Sequence, residues 1–423
     1  MDVLLQKFFE ANRWEKALET GVGKGIDKGE LRRLTCPEVR AAMYNCIISD
    51  QYEIAPAHIA LIPKDKPGEF REVHINENVD RIFLSIVNDM FFEMFPHYIH
   101  PSCKSYQKNI GCGKVVQQVS KRICDSKTDS NGIMAWKSDL SKYFDSVPRQ
   151  YIDAVFDRIE NEVGKSKIID IVRKYYHTDL LFDADGNLIE RYGSLKQGCA
   201  LASFLSDVML YHIDEMLSNL KGLYVRYSDD CLYVGEDYEA AMHIMKTELD
   251  KMQLTLNPKK VEYLTYDKWF KFLGFNIKGN QITLSKGRVK DFQKEIASRT
   301  TGLQNISLTK ATNSVNRYLY KGDGTYSWAT SVLPIINVQK DIDKLNEYVM
   351  DSLRACATGR KKIGGLGVVM DREDYTILRG TGKNVKANRM KTPKEISNYM
   401  SIRCMQNALL CNRAVYDTLV RSM

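Results

Sequence analysis

The sequence predicts an α+β protein in which a small antiparallel sheet lies between helical regions. Residues 223–234 form two β-branched and aromatic runs around a Ser-Asp pair that suits a tight turn, so a β-hairpin is expected. Upstream, Ile133–Asp139 has the pattern of a buried strand that ends in a carboxylate. Residues 1–56 and the basic region beyond Lys286 have a helical composition.

Length and composition restrict the class of protein. The chain has 423 residues, 44% of them hydrophobic, which is typical of a soluble globular protein with two or three structural units around a substantial core. The net charge of +8 is modest, so a nucleic-acid site would depend on local cationic tracks. The ten cysteines form no CxxC pair, which argues against zinc and favours a reducing compartment. Neither a signal peptide nor a bilayer-spanning run is evident, so the cytoplasm is expected and no membrane partner.

Adjacent carboxylates at the hairpin tip are the strongest functional signal. Asp229 and Asp230 repel each other, so a fold that concentrates them on an apolar ribbon needs a cation, and hard oxygen ligands suit Mg²⁺. The strand that ends in Asp139 can stand beside the hairpin and direct a third carboxylate at the same ions. A solvated turn explains an Asp-Asp pair by itself; the second acidic site favours metal binding.

The segments around these acids have their own patterns. Pro148 suits the first turn of a helix, and apolar residues recur at helical spacing from Tyr151 to Ile159. Ala200–Asp214 predicts one long helix with a largely buried face. Residues 59–75 predict two strands joined by a Pro-Gly turn that carries cations.

Five short motifs in order indicate a family. They are residues 139–145, 193–206, 227–230, 254–260 and 270–275. Each is weak alone, but together the chain resembles reverse transcriptases of bacterial type from about Lys64 to about Lys278. The resemblance implies a right-hand polymerase with fingers, a ferredoxin-like palm on an antiparallel sheet, and a helical thumb.

Four regions are expected within that plan. An N-terminal helical extension would cover residues 1–56, the fingers 57–130 and the palm 131–285, followed by a helical thumb and basic C-terminal region at 286–423.

The resemblance also implies the chemistry, which is RNA-directed DNA synthesis by a nucleotidyltransferase. A primer 3′-hydroxyl attacks the α-phosphate of a dNTP with the help of two Mg²⁺ ions, for which Mn²⁺ can substitute. Asp139 and Asp229 are expected to bridge the ions, assisted by Asp230 and the Leu140 carbonyl. Lys260 fits the position proposed to protonate or neutralise the leaving pyrophosphate, although an ordinary exposed lysine is nearly as good an interpretation.

Nucleotide selection is expected at two places in the palm. Phe144 lies five residues after Asp139, where the family has an aromatic ring that excludes a ribose 2′-hydroxyl; an ordinary core residue is the alternative. Gln197 and Gly198 are expected to approach the template base and the nucleotide closely, which suits a residue without Cβ. The family usually has proline before this glutamine, and Lys196 replaces it here.

The remaining contacts involve phosphates and nucleic acid. Arg71, Lys64 and Lys66 are expected to hold the triphosphate, although a charged turn is often only solvated. The nucleic-acid contacts are Tyr106, Gln107 and Lys108 in the fingers, Phe272, Leu273 and Gly274 at the primer end, and Arg317 and Tyr320 in the thumb. Residues 379–394 contain six cations and no acid, which suits either RNA binding or a solvated loop.

The subfamily is less sharply indicated. The chain has no Val-Thr-Gly of the retron type and no Cys/His pattern of a zinc endonuclease. It is most similar to the defence-associated reverse transcriptases of the unknown groups, in particular the unfused type 2 members, which copy an adjacent structured non-coding RNA into DNA during phage infection. Enzymes of diversity-generating retroelements or group II introns are alternatives, and a non-catalytic RNA chaperone of the maturase kind is a third. The sequence does not indicate a protein partner.

Overall fold

The computed structural model of the protein describes residues 2–21, 25–64, 68–107, 110–303, 306–322, 327–358 and 398–422. The chain forms two compact units. The first contains Met1–Lys108 and Lys127–Leu264, and the second contains Asn109–Ser126 and Thr265–Met423.

Helices dominate the first part of the chain, as predicted for residues 1–56. The elements are α1 (Val3–Phe8), α2 (Ala11–Thr20), α3 (Lys28–Leu34), α4 (Pro37–Ile48), β1 (Ala57–Pro63), β2 (Phe70–Ile75), α5 (Asn78–Met94), a 3₁₀ turn (Pro96–Tyr98) and α6 (Cys112–Asp125), which belongs to the second unit. The N-terminal helices pack on α5, where the Phe8 and Phe83 rings lie 4.9 Å apart and Arg13 forms a 3.0 Å ion pair with Glu93.

The rest of the first unit contains both strands and helices. They are β3 (Ile133–Asp139), α7 (Tyr143–Ser146), α8 (Arg149–Val163), α9 (Lys167–His177), β4 (Leu180–Phe182), β5 (Leu188–Glu190), α10 (Ala202–Val208), α11 (Tyr211–Ser218), β6 (Leu223–Tyr227), β7 (Asp230–Val234), α12 (Tyr238–Lys251) and β8 (Glu262–Thr265). Helix α8 begins directly after Pro148 and buries Ile152, Val155, Phe156 and Ile159, as the sequence predicted.

Two sheets organise the first unit. The strand order is β2-β1-β4-β5 in one sheet and β6-β7-β3-β8 in the other. The predicted hairpins at 59–75 and 223–234 are both present as antiparallel pairs. In the second sheet β3 runs antiparallel to β7, and the Trp136 indole N–H donates to the Tyr238 carbonyl at 2.9 Å, which fastens α12 over the strands. The mixture of helices and largely antiparallel sheets is the predicted α+β architecture of a right-hand polymerase.

The prediction of one long helix over Ala200–Asp214 is wrong. The segment forms α10 and α11 with a break at Met209 and Leu210. The physical reason is tertiary: Arg226 donates to the Asp207 carbonyl at 2.7 Å, and Tyr143 donates to the Ser206 carbonyl at 2.8 Å. These side chains satisfy carbonyls that a continuous helix would pair with amides four residues further on.

The second unit combines a three-stranded sheet with helices. Its further elements are β9 (Phe270–Phe272), β10 (Phe275–Lys278), β11 (Gln281–Leu284), α13 (Lys286–Arg299), α14 (Leu308–Asn316), a π-helical turn (Arg317–Lys321), α15 (Trp328–Ser331), α16 (Gln339–Thr358), α17 (Ile402–Cys411) and α18 (Arg413–Ser422). Among the described helices, none is long and apolar enough to span a bilayer. The predicted division into four regions is not tested by this structure and stays a prediction.

Candidate active site

The predicted acidic residues meet at one end of the β6-β7-β3-β8 sheet. Asp139, the last residue of β3, is directly opposite Asp230, the first residue of β7. Directly opposed residues in antiparallel strands place their side chains on the same face, with Cβ atoms about 5 Å apart. Asp229 lies in the adjoining turn, and its carbonyl accepts from the Leu140 N–H at 3.2 Å. The strand and hairpin therefore bring together acids that are about ninety residues apart in sequence.

Burial and repulsion from neighbouring carboxylates disfavour the ionised forms of Asp229 and Asp230. Burial, and secondly the charge of Asp139, raise the pKa of Asp229. Burial raises the pKa of Asp230 to about 6, with further contributions from the charges of Asp229 and Asp139. The nearby ammonium of Lys260 opposes both shifts. Ionised, these carboxylates need positive charge beside them.

Lys260 supplies part of that charge. Its Nζ lies 2.5 Å from Oδ2 of Asp139, and its side chain is otherwise about half exposed. The preceding loop brings it there: the Asn257 N–H donates to the Asp139 carbonyl at 2.8 Å, and the Ser141 N–H donates to the Thr255 carbonyl at 2.8 Å. These bonds extend the strand-like pairing beyond the end of β3.

The carboxylate oxygens of the acidic residues are of the type that binds a hard divalent cation, although they do not surround a common point. Within the described ranges, no three His, Cys, Asp or Glu side chains are placed to hold an ion together. Two observations support the fit. The carboxylates of Asp139, Asp229 and Asp230 are hard oxygen donors, and the charge of Asp139 contributes to the raised pKa of both Asp229 and Asp230. The Lys260 ammonium already lies beside the Asp139 carboxylate as a cation would.

A cavity of about 440 Å³ opens beside the acidic turn. It is lined by Arg71, Tyr106, Phe144, Gln197, Gly198, Cys199, Ala200, Ala202, Ser203, Tyr227, Ser228, Asp229 and Asp230. The cavity thus collects most of the residues that the sequence assigned to nucleotide binding.

Gly198 fits where no side chain could. Its φ is +104°, and a Cβ there would lie 2.4 Å from Cγ1 of Val73 and 2.7 Å from the His74 carbonyl oxygen. The neighbouring Gln197 carbonyl accepts from the His74 N–H at 2.6 Å. The close approach that the structure shows at Gly198 is therefore to the backbone of β2. The expected approach to the template base and the nucleotide stays a prediction.

The backbone conformation of Lys196 explains why this position does not have the proline that the family usually has. Its φ is +53°, a conformation that the proline ring excludes. The buried side chain donates to the Thr178 carbonyl at 2.8 Å, and its Nζ lies 4.6 Å from the centre of the Tyr175 ring. Burial lowers the pKa of Lys196. The turn before Gln197 is consequently built on a left-handed lysine.

Phe144 contacts the core, as one of the two interpretations expected, and it also lines the cavity, whereas the exclusion of a 2′-hydroxyl stays a prediction. It is partly buried against the hydrophobic core, with its ring 5.7 Å from that of Tyr143 in an edge-to-face arrangement. It also lines the cavity, and its carbonyl accepts from the Leu195 N–H at 3.0 Å.

The cations of the β1–β2 hairpin lie in three different situations. Arg71 is exposed on β2 and lines the cavity, and its charge partly opposes the rise in the pKa of Asp229. Lys64 follows β1, where its N–H donates to the Glu69 carbonyl at 2.9 Å. Lys66 lies outside the described residues.

The predicted nucleic-acid contacts are also divided. Tyr106 is half exposed with a φ of +51° and lines the cavity, and Gln107 next to it is partly buried. Lys108 and the whole basic run at 379–394 lie outside the described residues. Arg317 is exposed on the π-helical turn.

Two of the remaining contacts are in the second unit. Leu273 (φ +47°) and Gly274 (φ +80°) form the two-residue turn between β9 and β10, preceded by a buried Phe272. Such positive angles at both turn positions suit a tight hairpin. Tyr320 is only 1% exposed and its hydroxyl donates to the Met400 carbonyl at 2.7 Å, so the predicted stacking of this ring on bases is corrected: the ring belongs to the core of the unit.

Sequence reasoning missed a buried polar group behind the acidic turn. It consists of Ser105, Asp207, Asp214 and Arg226, each at most 1% exposed. A signal was available, because an arginine within the apolar strand Leu223–Tyr227 and two aspartates in the apolar segment 200–214 all require buried partners.

The fold and this site define a template-directed nucleotidyltransferase of the right-hand polymerase class. The family described as "Reverse transcriptase (RNA-dependent DNA polymerase)" matches residues 62–277, just over half of the chain. The chain belongs to this family and is an RNA-directed DNA polymerase, and the family generally uses divalent metal ions.

Two telomerases are among the solved structures that the chain matches. Telomerase from Candida albicans in complex with a TWJ fragment of telomeric RNA matches at 13% identity and a TM-score of 0.45, over 91% of this chain and 68% of that chain. Apo telomerase from Candida tropicalis, truncated from the C-terminal domain, matches at 14% identity and a TM-score of 0.35, over 57% of this chain and 59% of that chain. No curated protein gives a significant match.

Proposed function

We propose that the cavity beside the Asp229 turn binds an incoming dNTP, and that the enzyme joins it to the 3′-hydroxyl of a DNA strand growing on an RNA template. One observation carries this assignment: the pairing of Asp139 with Asp230 places carboxylates beside a cavity that also contains Arg71 and Phe144. Nucleotidyl transfer needs acids that bind cations, a guanidinium that binds phosphates and a ring that contacts the sugar.

Each acidic residue has a proposed role. Asp139 and Asp229 would be the main ligands that hold two Mg²⁺ ions, with Asp230 and the Leu140 carbonyl as further ligands. When bound, the ions activate the attacking oxygen and stabilise charge on the leaving pyrophosphate. Lys260, held at Asp139, offers a proton or a positive charge to that leaving group.

The cavity wall would select the nucleotide. Arg71, supported by Lys64, would bind triphosphate oxygens, since a guanidinium forms paired hydrogen bonds with them. Phe144 would lie under the sugar and exclude a 2′-hydroxyl. Gln197 and Gly198 form the wall against which the template base and the nucleotide would lie.

Further contacts would hold the nucleic acid. Tyr106 and Gln107 are proposed to touch the template, the turn at 272–274 the primer end, and Arg317 the backbone. Lys66, Lys108 and the run at 379–394 remain proposals from the sequence alone.

A primer-extension assay tests the proposal. The parent protein is given an RNA template, a DNA primer, dNTPs and Mg²⁺, and is compared with an Asp229→Ala, Asp230→Ala double variant. The matched control is Asp183→Ala, Asp185→Ala, which removes two aspartates from the turn between β4 and β5 that do not line the cavity. We expect extension by the parent and the control, and none by the double variant.

Two outcomes contradict the assignment. Equal extension by all three proteins excludes the proposed centre. No extension by the parent, with RNA still bound in a filter or mobility-shift assay, favours the non-catalytic chaperone of the maturase kind.

The template is proposed to be a dedicated, structured non-coding RNA, copied in the bacterial cytoplasm as part of defence against phage. The support is the similarity of the motifs to those of the defence-associated reverse transcriptases. Sequencing the DNA made in cells that express the gene with its flanking DNA tests the template, and plaque assays with the Asp229, Asp230 double variant test defence. Products that map to a template repeat and a variable repeat indicate a diversity-generating retroelement instead, and products that map to a group II intron indicate that class.

A further inference from the structure

The backbone of the residue before Asp229 is held from two sides. Ser228 is the first residue of the turn and has a φ of +58°, an unfavourable value for a residue with a Cβ. Its N–H donates to Oγ of Ser105 at 3.0 Å, and its carbonyl accepts from Nη1 of Arg226 at 3.2 Å. Both backbone polar groups of this strained residue are therefore bound by buried side chains.

Arg226 is itself fixed by a two-pronged ion pair. Its Nε and Nη2 donate to the two carboxylate oxygens of Asp214 at 2.8 and 2.6 Å, and Nη2 also donates to the Asp207 carbonyl at 2.7 Å. Arg226 is 1% exposed and Asp214 is fully buried. A guanidinium bound on both edges has little freedom to move away from the Ser228 carbonyl.

Ser105 is fixed in the same way on the other side. Its hydroxyl donates to Oδ1 of Asp207 at 2.5 Å, and the Ser105 Oγ itself accepts from the Ser228 N–H. Oδ1 of Asp207 also lies 3.9 Å from Nη1 of Arg226, which joins the two sides into one group. We name Ser105, Asp207, Asp214 and Arg226 the Ser228 clamp.

The chain segment that carries Ser105 runs alongside β6. The Lys104 N–H donates to the Arg226 carbonyl at 2.8 Å, and the Arg226 N–H donates to the Ser102 carbonyl at 3.0 Å. The next residue after Ser105 is Tyr106, which lines the cavity. The segment therefore links one wall of the cavity to the backbone of the acidic turn.

We propose that the Ser228 clamp positions Asp229 for catalysis, with Ser105, Asp207 and Arg226 as positioning residues; the inference rests on the function proposed above. The turn must hold Asp229 near the like charge of Asp139, which repels it, and its backbone is in an unfavourable conformation. Without restraint on Ser228 the turn would relax and move Asp229 away from Asp139. A displacement of about 1 Å is enough to reduce a rate strongly when reacting groups must be aligned.

A purely structural role is the competing interpretation, because removing one partner from a buried polar network commonly destabilises a protein wherever it lies. The two interpretations differ in what they predict for turnover by the folded enzyme. Loss of stability alone leaves kcat of the folded fraction unchanged, whereas misplacement of Asp229 lowers kcat and the response to metal.

The experiment compares Ser105→Ala with Ser120→Ala. The Ser120 hydroxyl is also buried and donates to one backbone carbonyl, that of Gly279, at 2.7 Å, but it belongs to the second unit and not to the site. For each variant we would measure Tm, kcat and KM for dNTP by primer extension well below Tm, and the Mn²⁺ concentration that gives half-maximal activity.

We expect both variants to lose a similar amount of Tm. Ser105→Ala should also lower kcat about tenfold or more, with KM for dNTP within about twofold of the parent, since tenfold corresponds to the 1.36 kcal/mol scale of one hydrogen bond. Its requirement for Mn²⁺ should rise. Ser120→Ala should keep the parental kcat and Mn²⁺ requirement.

Asp207→Asn provides a second, nearly isosteric probe. It keeps an oxygen that can accept from Ser105 but removes the negative charge beside Arg226, so we expect a smaller fall in kcat, about threefold to tenfold. If Ser105→Ala does not fold, this variant alone decides. Parental kcat and Mn²⁺ requirement in every variant that folds overturn the clamp, whereas an inactive parent overturns the proposed function instead.

Discussion

The ammonium of Lys260 lies 2.5 Å from the carboxylate of Asp139, the residue that the reverse transcriptase motifs assign to metal binding. A cation from the chain itself thus balances part of the acidic site. Under the proposed function the same ammonium would also offer a proton or a positive charge to the leaving pyrophosphate.

We therefore predict that Lys260→Met slows single-nucleotide incorporation by about 10- to 100-fold, the usual contribution of a positioned acid. The matched control is Lys259→Met, which removes the same charge from the preceding exposed residue. Rapid-quench measurement of one dNTP addition compares the two. Equal rates would show that Lys260 is an ordinary surface lysine.

The raised pKa of Asp230 predicts a stability that falls with pH. Its folded pKa is about 6, above the ordinary 3.8, so the folded protein binds this proton more tightly than the unfolded chain does. Stability is then lost as pH rises from about 4 to 6, and the cost is complete above pH 6. Asp230→Asn should gain about 1–2 kcal/mol at pH 7.5 in EDTA, but almost nothing at pH 4, while losing activity.

Urea titrations at the two pH values check this expectation. A variant no more stable than the parent at pH 7.5 would mean that Asp230 does not experience the repulsion inferred from its position. A gain of equal size at both pH values would indicate a packing effect unrelated to charge.

Divalent cations should stabilise the parent by relieving the same repulsion. Mg²⁺ at about a hundred times its dissociation constant adds roughly 2.7 kcal/mol to the free energy of unfolding. We expect a higher Tm in Mg²⁺ than in EDTA at pH 8, and no Mg²⁺ effect in an Asp229→Asn, Asp230→Asn variant. A shift that persists in that variant would place the ion elsewhere.

Phe144→Ala should weaken the rejection of ribonucleotides. Because the ring both lines the cavity and touches the core, the variant is expected to lose some Tm and to raise rNTP incorporation relative to dNTP by about tenfold or more. Phe144→Tyr, which keeps the ring, is the control and should reject rNTPs like the parent. Unchanged selectivity in Phe144→Ala, together with a lower Tm, would leave only the core role.

Introducing the proline that the family usually has at Lys196 should be harmful here. Lys196→Pro cannot adopt a φ of +53° and loses the N–H that donates to the Gly193 carbonyl at 2.7 Å, so we expect a cost of at least about 1–3 kcal/mol. Lys196→Asn also loses the ammonium but tolerates a left-handed backbone, and should cost less. Thermal unfolding of both variants makes the comparison, and a harmless proline would contradict the observed turn.

The hairpin at 223–234 and the strand that ends in Asp139 were predictable because their signals are local. Alternating side chains and turn residues define the strands. A buried strand that ends in an acid can pair with such a hairpin in only a few ways. Their antiparallel register places Asp139 directly opposite Asp230, whereas a metal site shared by the three acids stays a prediction.

The features that the sequence did not predict depend on contacts with residues far away in the chain. The break between α10 and α11 depends on Arg226 and Tyr143 satisfying carbonyls from elsewhere in the chain, and helical periodicity contains no information about those donors. The burial of Tyr320 depends on the carbonyl of Met400, eighty residues away. The φ of Lys196 is likewise set by its tertiary contacts with Thr178 and Tyr175.

The tight seating of Gly198 against β2 has a mechanical consequence. The His74 N–H donates a hydrogen bond to the Gln197 carbonyl, and the space at Gly198 is too small for even a methyl group. The β1–β2 hairpin and residues 197–198 are therefore in such close contact that one cannot move without the other. A tilt of the hairpin would move residues 197–198 with it, so that Arg71 on β2 and the cavity wall at Gln197 and Gly198 would shift together.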